Sequence, residues 1–181
     1  MFPVVKLLAK GYDRDQVEEF FDLAKQAYEG SGGPPDFDAS DVREAAFDIV
    51  PRGYSFAAVD AALDRLEAAF VQRARADHIA VNGQEAWMSH VASQATTLYP
   101  RLLRPPGARF RHPVGRKRGY EVGAVDELLE RLVAYFDEGV PLTSAQVRAV
   151  TFPSARGSRA YEEGTVDAYI ARAVEVLLAV E

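Results

Sequence analysis

The chain has 181 residues, 48% of them hydrophobic and 27% charged, and it contains no cysteine. That composition supports a packed core, excludes a disordered chain, and excludes disulfides, thiolate chemistry and cysteine-ligated metals. The net charge of −6 argues against nucleic acid as the main partner, because duplex binding needs a cationic surface.

The opening "MFPVVKLLAKGYDRDQ" has only a short apolar run, broken by Lys6, so it does not read as a signal peptide. No stretch approaches the ~20 apolar residues of a membrane-spanning helix. The expectation is a cytoplasmic protein.

The first predicted element follows "GYDRDQVEEFF" from Gly11. Asp13 is a candidate N-cap with Gln16 as its capping-box partner, and Val17, Phe21, Ala24 and Tyr28 form a helical seam. "VREAAF" from Val42 predicts a short helix capped by Ser40 or Asp41. "GYSFAAVDAAL" from Gly53 opens the next helix, with Ser55 as candidate cap and Val59, Leu63, Leu66 and Phe70 as its seam. Asn82-Gly83 marks a turn, and the segment after it reads as a connecting helix ending near Pro100, with Trp87 as its packing anchor.

Residues 101–119, "RLLRPPGARFRHPVGRKRG", hold seven Lys or Arg and no acid. Arg109, Phe110, Arg111, Arg116, Lys117 and Arg118 are therefore the candidate contacts for an anionic membrane surface or an acidic partner; the competing reading is a solvated linker. "GYEVGAVDELL" from Gly119 then opens a helix with Val125, Leu129, Leu132 and Phe136 as its seam, and Glu121 near its start. "VRAVTF" from Val147 predicts a second short helix, capped by Ser144. "AYEEGTVDAYI" from Ala160 opens the last helix, with Glu162 near its start and Val166, Ile170, Ala173 and Leu177 along its seam.

Aligned on their tyrosines, these segments form four degenerate copies of one turn-plus-helix unit. Tyr12, Tyr54, Tyr120 and Tyr161 are each followed five residues later by Val17, Val59, Val125 and Val166. An acid comes next: Glu18, Asp60, Asp126 and Asp167. The "VRxxxF" prefix precedes copies two and four, whereas copies one and three have Phe2 and Phe110 ten residues before the tyrosine.

The pattern predicts an all-α fold of two helical pairs: residues 1–75, a connecting helical segment at 76–104, and residues 105–181. Tyrosine and valine read as packing positions. The acid reads as a helix-start stabiliser or as the partner of a basic loop residue. Glycine before the tyrosine predicts a left-handed backbone position, which Ala160 does not supply.

The turn and helix start, "RGYSFAAVDAAL" and "RGYEVGAVDELL", resemble the N-terminal domain of the DivIVA family. "GYDRDQVEEFF" resembles its acidic version, and "LTSAQVRAVTF" its opening short helix. The likeness covers roughly two-thirds of the chain. It implies a non-enzymatic scaffold in bacterial cell division or polar growth, peripheral at the inner face of the membrane. The alternative is a soluble helical protein-binding module without a membrane or division role. His78, His90 and His112 match no metal motif, and no phosphate loop, nucleophile elbow or triad is legible, so no cofactor, metal or catalytic residue is expected.

Overall fold

The computed structural model describes residues 2–6, 9–115 and 117–181. They form two compact units, Met1–His78 and Ile79–Glu181.

In the first unit, β1 (Lys10–Tyr12) leads into α1 (Arg14–Glu29). Asp13 starts that helix by accepting from the amides of Asp15 and Gln16, and Gly30, at φ 68°, ends it. Gln16 does not close a capping box; its side-chain amide instead spans to Asp48, donating at 2.8 Å and accepting from the Asp48 amide at 2.8 Å. The short helix α2 (Ala39–Arg43) is capped by Asp38 rather than Ser40, with Asp41 completing the box. Strand β2 (Ile49–Pro51) pairs antiparallel with β1, and α3 (Phe56–Asn82) follows.

Val17, Tyr54 and Val59 form one buried cluster, with Phe2, Tyr12, Phe21, Phe47 and Leu63 against it. Ala24, Val42 and Phe70 form a second. Glu67 is buried on α3 and takes a hydrogen bond from the Arg43 guanidinium at 2.8 Å.

The second unit begins within α3. Gly83, at φ 85°, separates it from α4 (Gln84–Thr96), and α5 (Tyr99–Leu102) carries Pro100 in its first turn. Next come β3 (Arg118–Glu121), α6 (Val122–Val133), α7 (Ser144–Arg148), β4 (Ser154–Arg156), β5 (Ala160–Tyr161) and α8 (Glu163–Val180). Helix α6 ends in a π-helical turn, Ala134–Glu138, which Gly139 closes at φ 71°. Thr143, not Ser144, caps α7; Ser144 is buried and gives its amide and hydroxyl to the Glu181 carboxylate at 2.6 and 2.8 Å.

The all-α expectation needs correcting. The fold is mainly helical but not all-α: β1 and β2 form one small antiparallel sheet, and β4, β3 and β5, in that order, form another. Strands of two to four residues are too short to show alternation in the sequence. From residue 79 the connecting helical segment lies in the second unit, where the Trp87 indole donates to the Ala179 carbonyl at 3.1 Å and the Tyr169 hydroxyl to the Leu98 carbonyl at 3.0 Å. Trp87 and Val91 on α4, and Leu98 and Leu102 at the two ends of α5, are all buried.

Candidate functional site

The signature residues converge within each unit. In the first, the backbones of Tyr12 and Tyr54 form an antiparallel bridge, exchanging N–H···O bonds of 3.0 and 2.8 Å. In the second, Tyr120 pairs with Tyr161.

The glycines are required by this approach and not by a left-handed backbone. A Cβ on Gly11 would stand 2.2 Å from the Tyr54 carbonyl oxygen, on Gly53 2.4 Å from that of Tyr12, and on Gly119 2.0 Å from that of Tyr161. None of these three has a positive φ. Ala160 fits without strain, in extended backbone at φ −123°.

Tyr54 and Tyr161 have no exposed surface. The Tyr54 hydroxyl donates to the Glu18 carboxylate, and that of Tyr161 lies 3.2 Å from Asp126 Oδ1. The Tyr12 and Tyr120 hydroxyls lie beside Asp60 and Asp167. The acid after each valine therefore faces the tyrosine hydroxyl of the other copy in its unit. All four phenols are held above their ordinary pKa. The Glu18 hydrogen bond is the largest cause for Tyr54, and loss of hydration is the largest for Tyr12, Tyr120 and Tyr161.

The aromatic contacts also correspond. Phe2 meets Tyr54 edge-on at 5.5 Å and Phe110 meets Tyr161 at 5.3 Å. Phe47 packs on Tyr12 at 5.4 Å and Phe152 on Tyr120 at 5.1 Å. Such aromatic pairs contribute about 0.5–1.5 kcal/mol each beyond their buried area. The strand registers agree as well: Lys10 opposes Pro51 and Tyr12 opposes Ile49, while Arg118 opposes Arg156 and Tyr120 opposes Ser154.

The cationic segment divides between interior and surface. Arg109 and Phe110, expected as surface contacts, are only 2% and 3% exposed. The Arg109 guanidinium donates to the Asp126 carbonyl at 3.0 Å, to the Arg104 carbonyl at 3.2 Å and to the Glu130 carboxylate, and its amide donates to the Tyr161 hydroxyl at 3.2 Å. A buried guanidinium needs this many acceptors to offset its lost hydration. Phe110 lies between Tyr161 and Tyr169, under the Arg101 guanidinium at 4.6 Å. The Arg104 and Asp126 carbonyls and the Glu130 carboxylate hold Arg109 inward, and the two tyrosine rings hold Phe110.

Arg111, Lys117 and Arg118 are exposed. Arg111 is ion-paired with Glu162. Arg116 lies outside the described residues.

Arg118 has company that sequence reading missed. Together with Ser154, Ala155, Arg156 and Arg159 it lines a pocket of about 250 Å³. The available signal was the basic residue before each tyrosine: Lys10, Arg52, Arg118 and Arg159. The first unit has an open groove of about 420 Å³ between α1 and the chain before β2, with Phe20, Leu23, Ala46 and Phe47 as its apolar surface and Glu19 and Asp48 among its lining residues. Among the described residues no three His, Asp or Glu side chains group as metal ligands, and no helix is long and apolar enough to cross a membrane.

No protein-family model, curated protein or solved structure matches the chain.

Proposed function

We propose that this chain is a non-enzymatic, DivIVA-like scaffold or adaptor in bacterial cell division or polar growth, acting through protein–protein contacts. In this reading it consists of four turn-plus-helix copies used as two pairs, an internal duplication. One observation carries the proposal: Tyr, Val and the following acid are spent on packing Gly-Tyr segments together, with matching registers in the two units. A motif consumed in internal packing suits a repeated structural module, whose outer surfaces are left for partners.

The exposed Arg111, Lys117 and Arg118 are the contacts proposed for an anionic membrane face or an acidic protein. A fluorescent fusion tests the division role: concentration at septum or pole supports it, and diffuse signal throughout the cell cycle removes it.

The second reading, a protein-binding module with no membrane or division role, is favoured by one feature. Phe110, the apolar residue that would enter lipid, is buried. Flotation with anionic vesicles at low salt separates the two: capture supports the membrane contact, and its absence leaves the protein-binding module.

A further inference from the structure

The pocket beside β3 and β4 concentrates positive charge that the fold does not require. Arg118 and Arg156 are direct cross-strand partners, so both side chains stand on one face of the ladder. Ser154, two residues before Arg156, lies on that face too. Arg159 joins them from a single 3₁₀ turn, Gly157–Arg159, which Gly157 enters at φ 61°. Like charges directly opposite in a ladder repel. All three arginines are exposed, and among the described residues no carboxylate forms an ion pair with them.

The first unit, with the same strand register, does without such a cluster. Lys10 there opposes Pro51, and Arg52 leads directly into Gly53-Tyr54. Counted from the matching positions Pro51 and Arg156, the second unit has two more residues before its tyrosine, which brings Arg159 round to the pocket.

We propose that Arg118, Arg156 and Arg159 bind a phosphate group, carried by a small phosphorylated ligand. Planar guanidinium forks match phosphate oxygens two at a time, and the Ser154 hydroxyl adds a neutral donor. A volume of about 250 Å³ accepts one phosphoryl group with part of what it is attached to. Bound phosphate also relieves the Arg118–Arg156 repulsion, so affinity falls as salt screens the charges.

The test titrates the full chain with inorganic phosphate and with pyrophosphate, following backbone amide shifts by NMR. Binding is expected on the order of millimolar, with shifts centred on residues 154–160 and pyrophosphate the tighter ligand. Arg156→Ala and Arg159→Ala should each weaken it about tenfold, while Arg65→Ala, on an exposed face of the first unit, leaves it unchanged. Sodium chloride at matched ionic strength reproducing the shifts, or wild-type phosphate affinity in both pocket variants, overturns the proposal. A vesicle arm with phosphatidic acid locates the phosphate. Vesicles left unbound while phosphate binds assign it to a soluble ligand, and capture that free phosphate reverses assigns it to a lipid headgroup. Capture unaffected by both pocket substitutions and by free phosphate counts against the site.

Discussion

The Tyr161 hydroxyl lies 3.2 Å from Asp126 Oδ1 and accepts from the Arg109 amide at 3.2 Å, joining β5, α6 and the basic segment inside the second unit. Tyr54 and Glu18 make the same tyrosine-to-acid contact in the first unit. A single hydroxyl thus serves two buried groups, and its removal exposes how much each unit depends on it.

Tyr161→Phe keeps the ring but leaves the Asp126 carboxylate, 6% exposed, and the Arg109 amide short of a partner. An unsatisfied buried polar group costs about 1–3 kcal/mol. Urea denaturation should show a loss of that size, with a smaller one for Tyr12→Phe, whose ring is only half-buried. Wild-type stability in Tyr161→Phe would mean that the hydrogen bonds contribute nothing net.

Gly119→Ala puts a methyl group 2.0 Å from a backbone oxygen that cannot rotate away. The strands must separate, at about 3 kcal/mol or more. Gly123→Ala is the control: it lies in α6 with nothing within 4 Å, and should stabilise by roughly 0.5–1 kcal/mol. Opposite shifts in melting temperature are expected, and a harmless Gly119→Ala would contradict the close strand approach.

Arg52 is the one non-glycine residue with positive φ among those described, at 59°. Gly157 holds the corresponding place in the second unit at 61°. The left-handed conformation costs a side-chain-bearing residue roughly 1–2 kcal/mol, while glycine adds up to about 1 kcal/mol of unfolded-state entropy. Arg52→Gly should therefore raise stability slightly, by about 0.5 kcal/mol, in thermal melts. A clear loss would show that the Arg52 side chain does more than follow its backbone.

Alkaline pH should destabilise the protein. Tyr12, Tyr54, Tyr120 and Tyr161 are all held above the ordinary 10.0. Above pH 10 the unfolded chain has lost phenolic protons that the folded chain retains, so stability falls as pH rises toward the folded values and is fully present below 10. Tyrosinate absorbance should lag behind that of the unfolded chain and then rise together with loss of helical circular dichroism. Titration at the ordinary position with the fold intact would contradict the buried tyrosine–acid contacts.

Helices, their seams and the break at Gly83 were legible because the 3.6-residue period and glycine punctuation are local: Val17, Val125 and Leu129 have no exposed surface, and Gly83 stands at a helix boundary. Cap identity was read one to three residues off at Asp38 and Thr143, since neighbouring Ser, Asp and Thr compete for the same amides. The strands were not legible, because their register comes from backbone pairing between residues such as Tyr12 and Ile49.

The amino-acid sequence alone determined a helical, cysteine-free, acidic chain with a recurring Gly-Tyr, Val and acid pattern, because these follow from composition and short-range periodicity. Only the tertiary structure decided what the pattern is for and where the basic segment goes. A tyrosine finds its carboxylate 35 residues away, as Tyr161 does Asp126. Arg109 is drawn inside by acceptors on α6, while Arg118 is left outside beside Arg156 and Arg159. Burial depends on which groups the folded chain brings within hydrogen-bonding distance, and no local stretch of sequence contains that information.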